Sequence, residues 1–274
     1  MRKKKASNLK WTFIALVPTV IIVAPLYFVA IGGFQSVAEI FHKPPYLFPP
    51  NPTFAYYQSA LVTLSSYLKN SIIIALGALL VTLLFALPSA FALAKFRFPF
   101  KRPAALIMAF VQVLPATAVI IPLFLIFTRV GLINNYLGAI LGISVFTIPF
   151  AAIVLNAYIQ AIPTGLMEAA LIDGAGFLRI FMSIIIPLAS PAIATASILT
   201  FIMAWGDFIF SLSFLKDRTL QPMSIGLYNF IGQYGVQWNK LMAGSMIFSV
   251  PPLIVALLAG KAIVAGLTAG AFKE

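Results

Sequence analysis

Long uncharged apolar stretches limit most strongly what this chain can fold into. A membrane-spanning helix needs about 20 mostly apolar residues, because the bilayer interior offers no water to solvate charges or free backbone groups. Read from charge to charge, the sequence has six stretches long enough to span, and Asp207 is the only charge inside them. They are residues 11–38, 70–94, 103–128, 130–167, 188–215 and 241–260. The sequence therefore predicts an all-α membrane protein with six transmembrane helices.

The composition argues against a soluble globular protein. Charged residues make up 9% of the 274 positions and hydrophobic residues 62%, whereas soluble domains carry about 25% charged residues. The chain has no cysteine and a single histidine, His42, so we expect neither a disulfide nor a multi-histidine metal site. We interpret His42 as a loop side chain near the membrane surface.

The distribution of basic residues orients the spans. Six spans place both termini on one side, and if that side is the cytoplasm, 12 basic residues face inwards and 6 outwards, in line with the positive-inside rule. The net charge of +12 reflects this bias, so we expect a lipid membrane partner and no nucleic acid. Residues 1–10 would form a basic cytoplasmic segment. A cleaved signal peptide is disfavoured, because the first apolar run is long and contains Pro18 and Pro25.

Residues 162–189, which we call the EAA segment, would form a cytoplasmic loop between the fourth and fifth spans. Their sequence predicts a short helix over 165–172 and a turn at 173–176, with Gly174 as a left-handed stop. A second helix follows, with an apolar stripe that can lie on the membrane helices. The stripe consists of Phe177, Ile180, Phe181, Ile184, Ile185 and Leu188. The residues alone leave two interpretations open: a docking surface for a soluble partner, or a tightly packed loop with a solvated acidic corner.

The EAA segment, with EAA followed by Asp-Gly-Ala and later by Leu beside Pro, resembles the cytoplasmic loop signature of ABC importer permeases. Three other stretches resemble the maltose-type carbohydrate-uptake permeases, and the resemblance covers nearly the whole chain. They are NSIIIALGALLVTLLFALPSAFALAKFRF, TLQPMSIGLYNFIGQYGVQW and VAGLTAGAFKE. The resemblance implies the ABC importer type I permease fold for residues 11–265, in a bacterial or archaeal cytoplasmic membrane with both termini cytoplasmic.

The resemblance also implies a function without bond-breaking chemistry. The chain would be the permease subunit of an ATP-driven, binding-protein-dependent importer and would form half of the pathway for a sugar or oligosaccharide. Its partners would be a second homologous permease, an ABC ATPase dimer and an extracytoplasmic solute-binding protein. No cofactor is expected, because the chain lacks a GxxxxGK[ST] motif and ATP and Mg would bind the ATPase. By position, the residues that would couple to the ATPase are Glu168, Ala169, Ala170, Asp173, Gly174 and Ala175.

Two further sets of residues are candidate contacts. The loop 216–240, which we call the aromatic loop, would meet the solute-binding protein through its GQYG turn, with Asn229, Gly232, Gln233, Tyr234 and Gly235 as contacts. Its aromatic and amide side chains suit a polyhydroxylated ligand, although an interfacial aromatic belt is favoured for Trp238. Trp205 and Asp207 would line the pathway. The family usually has Trp-Asn-Glu-Phe where this chain has Trp-Gly-Asp-Phe, so pathway lining and helix packing both remain open for Asp207.

Three alternatives complete the predictions. The same type of permease also serves glycerol 3-phosphate or another polyol derivative. An ion-coupled secondary transporter using Asp207 is disfavoured, because no repeat relates residues 11–128 to 130–265 and the structured loop would have no role. The tail, residues 266–274, is too small and flexible for a span and would extend towards the ATPase dimer, with a frayed terminus as the alternative.

Overall fold

Long helices account for most of the chain in the computed structural model, which describes residues 2–232 and 235–271. The helical elements and strands follow in chain order. They are α1 Arg2–Gly32, α2 Val37–Ile40, α3 Ala55–Lys95, α4 Lys101–Val113, α5 Ala116–Arg129, α6 Tyr136–Ala161, α7 Thr164–Ile172, α8 Phe177–Ile180, a π turn Phe181–Ile185, α9 Ile186–Leu188, α10 Ser190–Trp205, α11 Ile209–Phe214, α12 Met223–Tyr228, β1 Ile231–Gly232, β2 Gly235–Val236 and α13 Trp238–Ala271.

Four single helices in the described part of the chain are long and apolar enough to cross a membrane. They are Ile14–Gly32 within α1, all of α3, all of α6 and Trp238–Leu258 within α13. Two helix pairs reach the required length only together, and both are bent: α4 with α5 by 107°, and Phe177–Leu188 with α10 by 77°. The chain thus has four to six spans by length and composition. The expected all-α fold is confirmed, and the count of six holds if each bent pair is one span.

The third expected span, residues 103–128, is a bent pair because a proline interrupts it. Helix α4 ends at Val113, the next residue, Leu114, is extended with ψ = 133°, and Pro115 stands before α5. Proline disfavours helical backbone at the residue before it and lacks the N–H that would continue the hydrogen-bond ladder. The third expected span therefore consists of two helices joined at a bend.

The first and last spans differ from expectation at their ends. The first uncharged stretch runs to residue 38, but α1 ends at Gly32. At the other end of the chain, α13 continues to Ala271 and so takes in residues 266–271 of the predicted tail. The rest of the predicted tail, residues 272–274, lies outside the described residues.

Hydrogen bonds and ring contacts between neighbouring residues stabilise the segment that follows α1. Ser36 and Glu39 form a capping box at α2: the Ser36 amide donates to Glu39 Oε2 at 2.8 Å, and the Glu39 amide donates to Ser36 Oγ at 3.4 Å. The spacing S-x-x-E is the sequence signal for this motif. His42 is exposed and stacks on Tyr46, with 4.2 Å between the ring centroids. The expected loop position of His42 is confirmed.

The described residues pack as two compact units. One consists of the residues up to Ser65 together with Gly226–Val250, and the other of Ser66–Ile225 together with the residues from Pro251 onwards. In the first unit, Tyr57 Oη donates to the carbonyl oxygen of Ala30 at 2.8 Å, and the Tyr57 ring lies 4.6 Å from that of Phe34. These contacts join the end of α1 to the start of α3.

In the second unit, small side chains let α3, α6 and the EAA segment pack closely. Ala90 of α3 and Ala152 of α6 are fully buried in one apolar cluster, which also contains Ile180 and Ile185 of the EAA segment. Small residues at such contacts allow helix backbones to approach each other. The expected packing of the EAA segment against the apolar helices is confirmed.

Polar contacts show that α3 and α6 run in the same direction. Towards their beginnings, Tyr136 Oη donates to Asn70 Oδ1 at 2.7 Å, and at their ends Lys95 Nζ donates to the carbonyl of Ile162. The ring of Phe96, just after α3, lies 5.1 Å from that of Phe177. The basic stretch after α3 and the EAA segment therefore lie at one end of this unit, which is the arrangement that the charge distribution predicts.

Candidate functional site

The first helix of the EAA segment, α7, buries one side and exposes the other. Met167 is 7% exposed and belongs to the apolar cluster, and Ala170 packs against that cluster. Glu168 and Ala169 are exposed. The alternation follows from helical periodicity, and α7 begins one residue before the predicted start at 165.

A Schellman motif ends α7 and fixes the turn. The Ala175 amide donates to the Ala170 carbonyl at 2.9 Å, and the Gly174 amide donates to the Leu171 carbonyl at 3.1 Å; these two hydrogen bonds define the motif. Gly174 has φ = +81°, a left-handed conformation that costs residues with a Cβ about 1–2 kcal/mol. A Cβ on Gly174 would meet no atom within 4 Å. Backbone conformation, and not lack of space, therefore favours glycine here, and the predicted glycine stop is confirmed.

The second helix of the EAA segment contains a π turn that shifts the predicted apolar stripe. Its most buried residues, Ile180 and Ile185, are each 1% exposed and stand five positions apart. The π turn Phe181–Ile185 explains this spacing, because it adds about one residue to the helical repeat. Phe177 and Leu188 are 51% and 45% exposed. The predicted stripe is buried in its centre, whereas Phe177, which contacts Phe96, and Leu188 remain about half exposed.

The turn and the second helix enclose a surface groove of about 220 Å³. Asp173, Arg179 and Ser183 contribute polar groups to its lining, and all three residues are exposed. The rest of the lining is apolar and comes from Ala170, Ala175, Ile180 and Ile184. A groove of this size, with an acidic, a basic and a hydroxyl group around an apolar floor, can receive a side chain of another protein.

Exposed apolar side chains flank the acidic turn. Ile172 is 87% exposed and Leu178 72% exposed, while the neighbouring carboxylates of Glu168 and Asp173 are also exposed. Large apolar side chains exposed beside charges are typical of a protein interaction surface. The structure brings the six predicted coupling residues together at the end of α7: Glu168, Ala169, Asp173 and Gly174 are exposed, and Ala170 and Ala175 are half-buried.

The aromatic loop contains α12 and a β-hairpin. Strands β1 and β2 pair antiparallel, with Ile231 opposite Val236 and Gly232 opposite Gly235, so a hairpin forms around the predicted GQYG turn. Gly235 has φ = +127°, a conformation that favours glycine. Asn229 is exposed just before the hairpin. Gln233 and Tyr234, the other two predicted contacts, lie outside the described residues.

Trp205 and Asp207 lie at a break in the fifth expected span, between α10 and α11. The Trp205 ring is 2% exposed and stacks against Phe201, with 5.6 Å between the centroids. The Asp207 carboxylate accepts hydrogen bonds from the Ser211 amide at 2.9 Å and the Ser211 hydroxyl at 2.8 Å. These contacts cap the first turn of α11 and favour the helix-packing interpretation of Asp207.

Buried Asn70, a residue that sequence reasoning did not single out, holds the beginning of the aromatic loop. We call residues 215–222 the strap. Asn70 Nδ2 donates to the carbonyls of Thr219 and Gln221, each at 2.8 Å, and Asn70 is 3% exposed. In the sequence Asn70 marks only the edge of an apolar stretch, and its two partners lie 149 and 151 positions away. No local pattern could have found this contact.

Asn134 holds the other end of the strap. Its Oδ1 accepts the amides of Lys216 at 3.1 Å and Asp217 at 2.9 Å, and its φ is +58°. Asparagine tolerates this left-handed conformation better than most residues, and the sequence Gly-Leu-Ile-Asn-Asn is a turn signal that could have been noted. The Thr219 amide donates to the Asp217 carboxylate at 2.9 Å, which lowers the pKa of that carboxyl.

Comparison with known families and proteins gives one consistent result. The family model described as "Binding-protein-dependent transport system inner membrane component" matches residues 84–270, which include the EAA segment and the aromatic loop. The glucose import system permease protein GlcU of Saccharolobus solfataricus is 30% identical over 276 residues, covering 98% of this chain and 96% of the relative. The trehalose/maltose transport system permease protein MalG of Thermococcus litoralis is 34% identical over 209 residues, covering 76% and 75%.

Solved structures show the same fold at lower identity. A chain of a bacterial ABC transporter involved in the import of the acidic polysaccharide alginate superposes with a TM-score of 0.77 at 22% identity, covering 95% of this chain and 97% of the other. A chain of the bacterial alginate ABC transporter in complex with an alginate pentasaccharide-bound periplasmic protein gives a TM-score of 0.68 at 16% identity, covering 93% and 94%. These likenesses concern the fold.

Proposed function

Because this chain belongs to the family of binding-protein-dependent transport system inner membrane components, we propose that it forms half of the membrane pathway for a sugar or oligosaccharide. It is a permease subunit of an ABC importer and a transport component without catalysis of its own. The energy for transport would come from ATP, hydrolysed by an ABC ATPase dimer. A second, homologous permease would supply the other half of the pathway.

The exposed turn of the EAA segment is the observation that carries this proposal. The turn is fixed by the Schellman motif at Gly174, backed by the apolar cluster, and surrounded by exposed Ile172, Glu168 and Asp173. A soluble ATPase could grip such a turn and move the helices behind it, because Ile180 and Ile185 are buried in the same cluster as residues of α3 and α6. A mobile loop would dissipate that motion.

The side of the membrane follows from charge. We propose that the EAA segment and both termini face the cytoplasm, because the basic stretch after α3 lies at the same end as the EAA segment. The chain has no cysteine, so single cysteines can test this directly. Ile172→Cys should resist an impermeant thiol reagent on intact cells and react after permeabilisation, whereas Arg218→Cys should react on intact cells. Labelling of Ile172→Cys from outside would refute the orientation.

The names of relatives support a carbohydrate substrate, since they include a glucose and a trehalose/maltose permease. We propose that the aromatic loop meets an extracytoplasmic solute-binding protein. Its contacts would be Asn229 and the hairpin from Gly232 to Gly235, including Gln233 and Tyr234. Trp205 and Asp207 would then shape the pathway indirectly, because they hold α10 and α11 in place.

Transport by the reconstituted complex tests this function. The chain is assembled in liposomes with its cognate second permease, ATPase and binding protein, and is offered labelled glucose, trehalose, maltose and glycerol 3-phosphate with ion gradients collapsed. We expect uptake of a carbohydrate that requires both ATP and the binding protein. Uptake that persists without ATP would contradict the proposal, and uptake of glycerol 3-phosphate alone would correct the substrate class.

A further inference from the structure

We infer that α3 and α6 form one strut that joins the EAA segment to the strap, with Lys95 and Asn70 as the positioning residues at its two ends. The inference rests on the proposed function, because a strut matters only if the EAA segment is moved by a partner. All of the contacts involved lie within the second compact unit.

Lys95 anchors the end of the strut next to the EAA segment. Its Nζ donates to the carbonyl of Gln160 at 3.4 Å and to that of Ile162, the C-cap residue of α6. Helix α7 begins two residues later, at Thr164. A cation suits this position, because the last carbonyls of a helix lack intrahelical donors and carry partial negative charge. Lys95 therefore ties α3 to the start of the segment that the ATPase would move.

Asn70 anchors the opposite end. Its amide donates to two strap carbonyls, and its Oδ1 accepts the Tyr136 hydroxyl at 2.7 Å, so one side chain joins α3, α6 and the strap. The next residue, Ser71, accepts the amide of Met223 at 2.8 Å through its hydroxyl. At 1.5 Å per residue, Asn70 and Lys95 are about 38 Å apart along α3.

Two further contacts keep α3 and α6 in register between the anchors. The hydroxyls of Thr82 and Thr147 are 2.6 Å apart, with the residues 0% and 1% exposed, and Asn156 Nδ2 donates to the Ala90 carbonyl at 3.3 Å. The two contacts lie on either side of Pro88 and so bridge the point where α3 lacks a backbone donor. Sliding of α3 along α6 would break both contacts; Thr147 would keep its hydrogen bond to the Ile143 carbonyl at 3.4 Å, but the buried Thr82 hydroxyl would lose its partner, which is unfavourable. The pair should therefore move as one body and carry motion of the EAA segment to the strap.

A disulfide across the middle of the strut tests its rigidity. The variant Thr82→Cys/Thr147→Cys introduces the only thiols in a chain without cysteine, at positions whose hydroxyl oxygens are 2.6 Å apart. We expect oxidation to form the bond and to leave ATP-driven uptake within about twofold of the reduced protein. Loss of uptake on oxidation that returns on reduction would refute the strut. Uptake by the unsubstituted protein tests the proposed function separately.

Substitution of Lys95 tests the anchor. Lys101 provides the matched control, since its Nζ also donates to a backbone carbonyl, that of Phe96 at 3.3 Å, but does not reach α6. A spin label on Arg218→Cys in the assembled complex reports the response of the strap to a non-hydrolysable ATP analogue. We expect Lys95→Met to reduce that response several-fold with nucleotide binding unchanged, and Lys95→Arg and Lys101→Met to keep it.

Combining the two anchors separates a positioning role from general destabilisation. If Lys95 and Asn70 act in one strut, adding Asn70→Ala to Lys95→Met should reduce the strap response little further. An unchanged response in Lys95→Met, an equal loss in Lys101→Met, or fully additive losses in the double variant would each refute the inference.

Discussion

Gly174 can be required for its left-handed backbone conformation or for close contact with a partner, and different substitutions of Gly174 distinguish these two roles. Gly174→Ala places a Cβ on a residue with φ = +81°, which costs about 1–2 kcal/mol and shifts the closed turn towards open forms by about 5–30-fold. No atom lies within 4 Å of that Cβ, so no clash inside the chain adds to the cost. Gly176→Ala is the matched control, because Gly176 has φ = −72° and equally open surroundings.

A third variant isolates the contact. Asparagine tolerates the left-handed conformation, so Gly174→Asn keeps most of the turn but adds a larger side chain to its exposed surface. If the turn fits closely against an ATPase, this variant should lower uptake although the turn stays closed. Gly174→Ala should lower uptake mainly by opening the turn.

Amide hydrogen exchange and uptake, measured on the same reconstituted complex, distinguish these effects. We expect Gly174→Ala to speed exchange of the Ala175 amide by about 5–30-fold, Gly174→Asn to change exchange little but reduce uptake, and Gly176→Ala to change neither. Equal exchange in the two alanine variants would refute the strain argument. Normal uptake and normal ATPase recruitment in Gly174→Asn would refute close docking at this glycine.

Four further predictions concern residues outside the EAA segment. Asn134→Ala should lower the free energy of unfolding by about 1–3 kcal/mol, and Asn134→Gly by less because it keeps the positive φ; thermal unfolding in detergent measures both. Ser36→Ala should destabilise α2 by about 1 kcal/mol, seen as faster proteolysis after α1. Hydrogen bonds from Ser36 lower the pKa of Glu39, so the contribution of Glu39 is present above the usual glutamate pKa and is lost as pH falls through the lowered value. Asp207→Asn should keep ATP-driven uptake within a few-fold, whereas an ion-coupled transporter would lose transport.

The sequence predicts those parts of the fold that depend on local patterns. Apolar length locates the helices, and the glycine after EAA and Asp locates the turn, because each signal lies within a few residues of the structure it specifies. Proline is different. Pro115 accompanies a bend of 107°, whereas Pro149 lies buried inside the continuous helix α6. Whether a helix ends at a proline or continues past it depends on neighbouring elements that satisfy the freed carbonyl. The sequence around the proline does not show which elements those are.

The candidate site shows the same division between local and distant information. The six coupling residues and the Schellman motif are adjacent in sequence, so a pattern identifies them together. Asn70 and Lys95 have partners about 65 to 151 positions away, and in the sequence they only delimit an apolar stretch. Their roles depend on which helices lie side by side.

Polar side chains have particular value in a chain with so few of them. Apolar contacts fix helix register weakly in a bilayer, because lipid tails are as apolar as the side chains they would replace. Lipid offers no partner for the buried Thr82 hydroxyl, which lies 2.6 Å from that of Thr147. Such polar pairs therefore mark the places where two helices stay together. Helices joined by several such pairs should form the rigid parts of the transporter, and motion should concentrate where apolar surfaces alone are in contact. The polar pairs of α3 and α6 make these two helices the rigid part, and they lie between the EAA segment and the strap. A force applied to the EAA segment has to pass through them to reach the strap.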